Sequence, residues 1–290
     1  MDFNDKLNQI KIRDIIIIYL FSTFIVSGII YSVVKFNHKE VGDFILNTLS
    51  LILQLVILLM LMLKIKPSRD NILLLYRDFK QKISKREIAE ATLIKICIAL
   101  GGSKLIVSFI FFVDPSMVNN FICESSLLIN SFRNYIINAF LLLIVSPITE
   151  EIIFRSVIFN RLINKFNLCA GIVVSSIIFA SFYAGSGIAG ALALGIINCI
   201  LYIKYKNILV PIFVNFINNL IVLISILPLI NKSIDDMIIT NGDVIINVCI
   251  GTILSVVGIL LLMKFINRNS LMLNKYDKYI KANKECSDFK

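Results

Sequence analysis

Three ionisable residues stand together inside an apolar run of this 290-residue chain. They are Glu150, Glu151 and Arg155, in the stretch Ser146-Pro-Ile-Thr-Glu-Glu-Ile-Ile-Phe-Arg155. Charged side chains at mid-bilayer cost about 2.5–3.5 kcal/mol each on insertion scales, and by default they mark function. On a helix, Glu151 and Arg155 are four apart and share a face, so they can pair. Glu150 is turned about 100° away, toward a different neighbour. One carboxylate is then neutralised by a partner, and the other is left for something else. Pro147 removes one helical hydrogen bond just upstream and can kink the helix beside the carboxylates. A packing ion pair at a helix end is the plainer reading of the same residues.

Two later apolar runs carry further polar groups. One reads Ser175-Ser-Ile-Ile-Phe179-Ala-Ser-Phe-Tyr183, and the other Pro211-Ile-Phe-Val-Asn215-Phe-Ile-Asn-Asn219. Asn215 and Asn219 share one helical face. At 1.5 Å per residue, Glu150 and Tyr183 each lie roughly 21–23 Å from the turn that follows Asn164. The two asparagines lie about 11–17 Å from a connector on the same side. These groups are expected to meet in one cavity within the bilayer. Lys104 is another charge inside an apolar run. It either pairs with a site carboxylate, snorkels, or sits in a helix break near Gly101-Gly102.

In this order and register the three segments resemble the CPBP (CAAX protease and bacteriocin-processing, or Abi) family of intramembrane proteases. Glu150-Glu151-x-x-x-Arg155 matches the family's Glu-Glu-x-x-x-Arg. Phe179-x-x-x-Tyr183, after Ser175-Ser176, stands where the family has Phe-x-x-x-His. Asn215-x-x-x-Asn219, after Pro211, stands where it has His-x-x-x-Asn. The resemblance runs from Tyr135 to Ile230 and implies a glutamate that activates water with help from a histidine. A later His and Asn then stabilise the oxyanion. Carried over, Glu150 matches the general base, Asn219 the oxyanion donor, and Glu151 with Arg155 the supporting pair. Tyr183 and Asn215 replace both motif histidines, and the chain's one histidine, His38, lies in a connector outside the motifs.

An amide can still donate a hydrogen bond, whereas a phenol is a poor base at neutral pH. Losing one such group typically costs about 10²–10³-fold in rate. The resemblance therefore leaves two readings of different class. One is a histidine-free glutamate endopeptidase acting on membrane-associated peptides. The other is a pseudoprotease that serves as membrane scaffold, regulator or bacteriocin self-immunity protein. No cofactor is implied. Two carboxylates and amides without histidine would bind zinc poorly, so no metal is implied either. A small-solute transporter would want paired discontinuous helices in symmetric halves, and the sequence shows none.

Holding these groups at one depth takes membrane-crossing helices. The chain is 58% hydrophobic with a mean hydropathy of +0.86, too little polar sequence to coat a water-facing surface. The spans predicted are 15–34, 44–63, 91–113, 135–164, 168–184, 187–203, 208–230 and 244–266. The fold class is thus all-α, a polytopic membrane protein of about eight transmembrane helices. The fourth span is longer than a bilayer requires and must tilt, kink or project into water. The first is read as a retained helix, since neither a short apolar core nor a cleavage site of small residues is clear. The stretch Asn71–Ile88 mixes apolar and basic residues, as either a surface amphipathic helix or a solvated loop would.

Charge orients the spans. The connector Lys64–Ile88 holds eight basic residues against three acids, and Arg161 with Lys165, Lys204 with Lys206, and the tail are also basic. The intervening connectors are poor in positive charge, and rich and poor alternate without a break if both ends are cytoplasmic. This places the chain in the cell membrane and explains the formal charge of +10 without nucleic acid. The partners implied are membrane lipid and a membrane-associated peptide or protein. Residues 1–134 form an N-terminal membrane part, 135–230 the family-like core, and 231–290 a last span with a basic tail. Six cysteines are scattered singly, and Cys97, Cys199 and Cys249 read as small hydrophobes within apolar runs.

Overall fold

Lipid offers no hydrogen bonds, so apolar runs of this length must satisfy their backbones internally. The computed structural model describes residues 6–7, 9–37, 42–118, 121, 131–183, 185–229 and 241–288, and every regular element among them is helical. His38 lies outside the described residues, as do parts of the connectors Asp114–Asn134 and Lys232–Asp243. The helices are α1 (Ile12–Asn37), α2 (Asp43–Ile65), α3 (Arg69–Lys82), α4 (Lys85–Val113), α5 (Phe132–Lys165), α6 (Leu168–Ala180), α7 (Ile188–Tyr205), α8 (Leu209–Ile226) and α9 (Asn241–Asp288). Seven of them, all but α3 and α6, are long and apolar enough to cross a membrane. The chain is an all-α, multi-pass membrane protein.

α6, α9 and α4 differ from the predicted spans, and the stretch after α2 takes the helical one of its two readings. The fifth predicted span, 168–184, is a helix of only 13 residues, α6. Phe182 and Tyr183 turn back, donating their N–H groups to Phe179 O and Ala180 O, and Gly185 takes φ 55°, a conformation that glycine adopts at little cost. The last helix runs on well past residue 266, to a total of 48 residues. Its distal half contains no Pro or Gly to stop it. The basic stretch after α2 is a helix, α3, with Leu75 buried and Ile72, Leu73, Leu74 and Tyr76 exposed. α4 starts earlier than the predicted span because Ser84 caps it, accepting the Glu87 N–H, an S-x-x-E start signal.

The helices gather into two compact units, each assembled from separated stretches of chain. The first comprises Met1–Lys82, Leu128–Ile158 and Asn207–Lys232. Within it, Phe79 of α3 meets Phe213 of α8 edge-on at 5.4 Å, and the Asn207 amide donates to Leu75 O at 2.8 Å. The Tyr135 hydroxyl donates to Leu223 O at 3.3 Å, tying the start of α5 to α8.

The second unit comprises Ile83–Leu127, Phe159–Lys206 and Ser233–Lys290. Here α4 and α9 approach so closely that a Cβ on Gly101 would lie 2.6 Å from the Ser255 nitrogen. Small residues at such crossings let backbones meet, which in lipid supplies much of the packing. At one end of this unit, Glu87 accepts hydrogen bonds from Lys204 and, at 2.6 Å, from the Tyr205 hydroxyl, while Arg268 pairs with Glu90 at 2.6 Å.

Candidate functional site

The central part of α5 is not a regular α-helix. Residues Leu141–Val145 and Ile152–Phe159 are π-helical, and between them lies the α-turn Ser146–Glu151 that carries both carboxylates. Such wide turns are rare and concentrate at functional sites. In the first of them the Ser146 N–H reaches back five residues, to Leu141 O. The next N–H in that register would serve Leu142 O, but it belongs to Pro147, which has none. Leu142 O instead accepts a hydrogen bond from the Asn219 amide at 2.8 Å. Asn219, on α8, thereby supplies the donor that proline withholds.

α8 presents one face to this turn. Val210, Pro211, Val214, Asn215 and Asn218 are all buried and recur at three- and four-residue spacing. Asn218 is turned back on its own helix, donating to Val214 O at 2.8 Å. Asn215 is fully buried and bridges the two carboxylates. Its amide nitrogen donates to Glu150 Oε2 at 2.9 Å and to Glu151 Oε1 at 3.2 Å. The helical period predicts different neighbours for Glu150 and Glu151. They do diverge, yet one amide carries two N–H groups and reaches both.

Glu151 and Arg155 are both completely buried, with Arg155 Nε 3.0 Å from Glu151 Oε2. Their charges cancel in a place where neither could stand alone. Glu150 is only half-buried, and its other oxygen accepts a hydrogen bond from the Ser146 hydroxyl. Ser146 is the residue that reading the sequence missed. Its signal is spacing, four residues before Glu150 and so on the same face. The first unit therefore brings together Glu150, Glu151, Arg155, Asn215 and Asn219, with Ser146 added.

The remaining candidates belong to the second unit. Tyr183 lies in the turn after α6 rather than on the helix, its ring 5.2 Å from that of Phe179. The preceding Ser175 and Ser176 are fully buried, and both donate to Ile172 O. Lys104 neither breaks nor distorts its helix, since α4 runs unbroken through Gly101-Gly102. Its ammonium donates to Asn247 Oδ1 on α9 at 2.7 Å. Among the described residues, no group of three or more His, Cys, Asp or Glu side chains could hold a metal.

Comparison with known proteins bears on the same stretch. Residues 132–221 match the family described as Rce1-like, Type II CAAX prenyl endopeptidase, a segment that contains all six candidate residues. Over 82 residues the chain is 40% identical to the Bacillus subtilis (strain 168) protein named "Putative membrane peptidase YdiL". That match covers 28% of this chain and 34% of the relative, so only about a third of the relative's length is spanned. No solved structure matches the chain. The paired glutamates and the segment around them, residues 132–221, are thus of the CPBP, CAAX-protease-like type.

Proposed function

We propose that this chain is an intramembrane endopeptidase in which Glu150 is the base that activates water against a membrane-associated peptide. One observation carries the reading. Glu150 is half-buried and oriented by Ser146 and Asn215, beside a second carboxylate whose charge Arg155 already balances. Glu151 then keeps the pair in place and Glu150 alone exchanges protons. In the first step Glu150 takes a proton from water as the water oxygen bonds to the scissile carbonyl carbon. In the second, the C–N bond breaks and the Glu150 proton passes to the leaving amine. Asn219 has a second amide N–H for the developing oxyanion, and Tyr183 enters as a phenol donor by its motif position alone. CAAX-type prenylated peptides are the first substrate class to assay. The positive connectors orient the chain in the cell membrane with both ends cytoplasmic.

Asn215 favours a second reading. Its amide nitrogen serves both carboxylates, so in this arrangement it has no N–H to offer an oxyanion. A pseudoprotease that binds a membrane peptide without cutting it, as scaffold, regulator or self-immunity protein, would keep such a locked pair. A cleavage assay on purified protein in liposomes, with prenylated and leader-type peptides, separates the two. Hydrolysis by wild type that disappears in Glu150→Ala supports the enzyme, and insensitivity to chelator would exclude metal dependence. Peptide binding without turnover, with hydrolysis appearing only in Tyr183→His/Asn215→His, supports the scaffold.

A further inference from the structure

The two halves of the α1–α2 hairpin end in a basic pocket that the proposed peptidase chemistry does not use. It is a cavity of about 290 Å³, close to the lower end of the roughly 300–1,000 Å³ typical of small-molecule sites. Lys6, Lys11, Arg13 and Lys64 line it, with Asp14 as its one acid. The Asp14 carboxylate is already engaged, 3.5 Å from Lys64 and accepting the Lys11 N–H at 3.0 Å. Four cationic side chains around one carboxylate leave a clear positive surplus. Lys6 is held across the end of α2, donating to Lys66 O at 2.8 Å, where Lys66 turns the chain at φ 47°. Buried Ile10 and Ile65 contribute the apolar part of the lining.

Its level in the membrane follows from the helices that form it. α1 begins at Ile12 and α2 ends at Ile65, so the pocket lies where both spans leave the hydrocarbon. Phosphates of a bilayer occupy that layer, and basic pockets beside transmembrane helices on the positive side of a membrane bind anionic headgroups. The first turn of α1 adds the positive end of a helix dipole.

We propose that this pocket binds a phosphate-bearing anion, with an anionic lipid headgroup and free phosphate as the two sources of that chemistry. The full chain, purified in mild detergent, is tested by native mass spectrometry and thermal shift. The probes are phosphatidylglycerol, phosphatidylcholine with the same chains, and inorganic phosphate. The main variant is Lys11→Gln/Arg13→Gln, which leaves the Lys6–Lys66 and Lys64–Asp14 contacts intact. The control, Arg77→Gln/Lys80→Gln, removes the same charge from α3.

Wild type is expected to retain phosphatidylglycerol over phosphatidylcholine. The main variant should bind it about tenfold or more weakly, and the control within about twofold of wild type. If the two lipids behave alike while phosphate stabilises wild type and not the main variant, the pocket takes the free anion. The proposal is overturned if wild type distinguishes neither phosphatidylglycerol nor phosphate from their neutral or chloride references. It is equally overturned if the main variant binds as wild type does, or if the control loses as much.

Discussion

The two units of this protein handle polarity in opposite ways. In the first, charged groups sit in the middle of a long helix, and the backbone around them gives up regular α-geometry. Three donors there have specific tasks, with Asn215 on two carboxylates, Asn219 on a carbonyl left by proline, and Arg155 on Glu151. In the second, the helices stay regular and meet through glycine. Its main charged cluster joins buried Glu87 at the start of α4 to Lys204 and Tyr205 at the end of α7 and to Arg268 within α9, and the Lys204 and Arg268 side chains remain partly exposed. The difference teaches where strength comes from. A buried polar group is costly to leave without its partner, whereas a charge near water has an alternative.

Substitutions can break this contrast at graded cost. The largest effect is expected for Arg155→Met, which leaves the Glu151 charge buried alone and should cost about 3–5 kcal/mol in equilibrium unfolding from mixed micelles. A loss under about 1 kcal/mol would mean that Glu151 is not held as an ion. Asn215→Leu removes the shared donor from both carboxylates and should cost about 3 kcal/mol, read by the same titration. Gly101→Val forces α4 from α9 and should cost about 1–3 kcal/mol, with crosslinking of cysteine pairs across that contact reporting the separation. An unchanged crosslinking pattern would argue against the close approach. Glu87→Gln should cost only about 0.5–1 kcal/mol, because its partners are partly solvated. Salt sharpens the same contrast: raising ionic strength should erase most of the Glu87 effect and little of the Arg155 effect.

Much of this could be read from spacing alone. Long apolar runs identify the spanning helices, and a four-residue interval is enough to join Glu151 to Arg155. Three things were not legible, one because a distant residue decides it and two because the local pattern misleads. The first wide turn in α5 leaves the Leu142 carbonyl to Asn219, which lies 77 residues away. The end of α6 depends on a turn and on the positive φ of Gly185, while Ser181, Phe182, Tyr183 and Ala184 look like more of the same apolar run. The distal part of α9 carries too many lysines to resemble a span, so its helicity was hidden by a pattern that reports burial rather than backbone.

α6 has a consequence for solvent. Thirteen residues rise about 20 Å, some 10 Å short of a hydrocarbon layer of about 30 Å. Beyond Ala180, the N–H groups of Ser181, Phe182 and Tyr183 turn back to Ile177, Phe179 and Ala180, so the helix is closed off rather than extended. A helix this short ends with carbonyls that its own turns cannot all satisfy, so in an apolar layer it would have to borrow partners from neighbouring protein or from water.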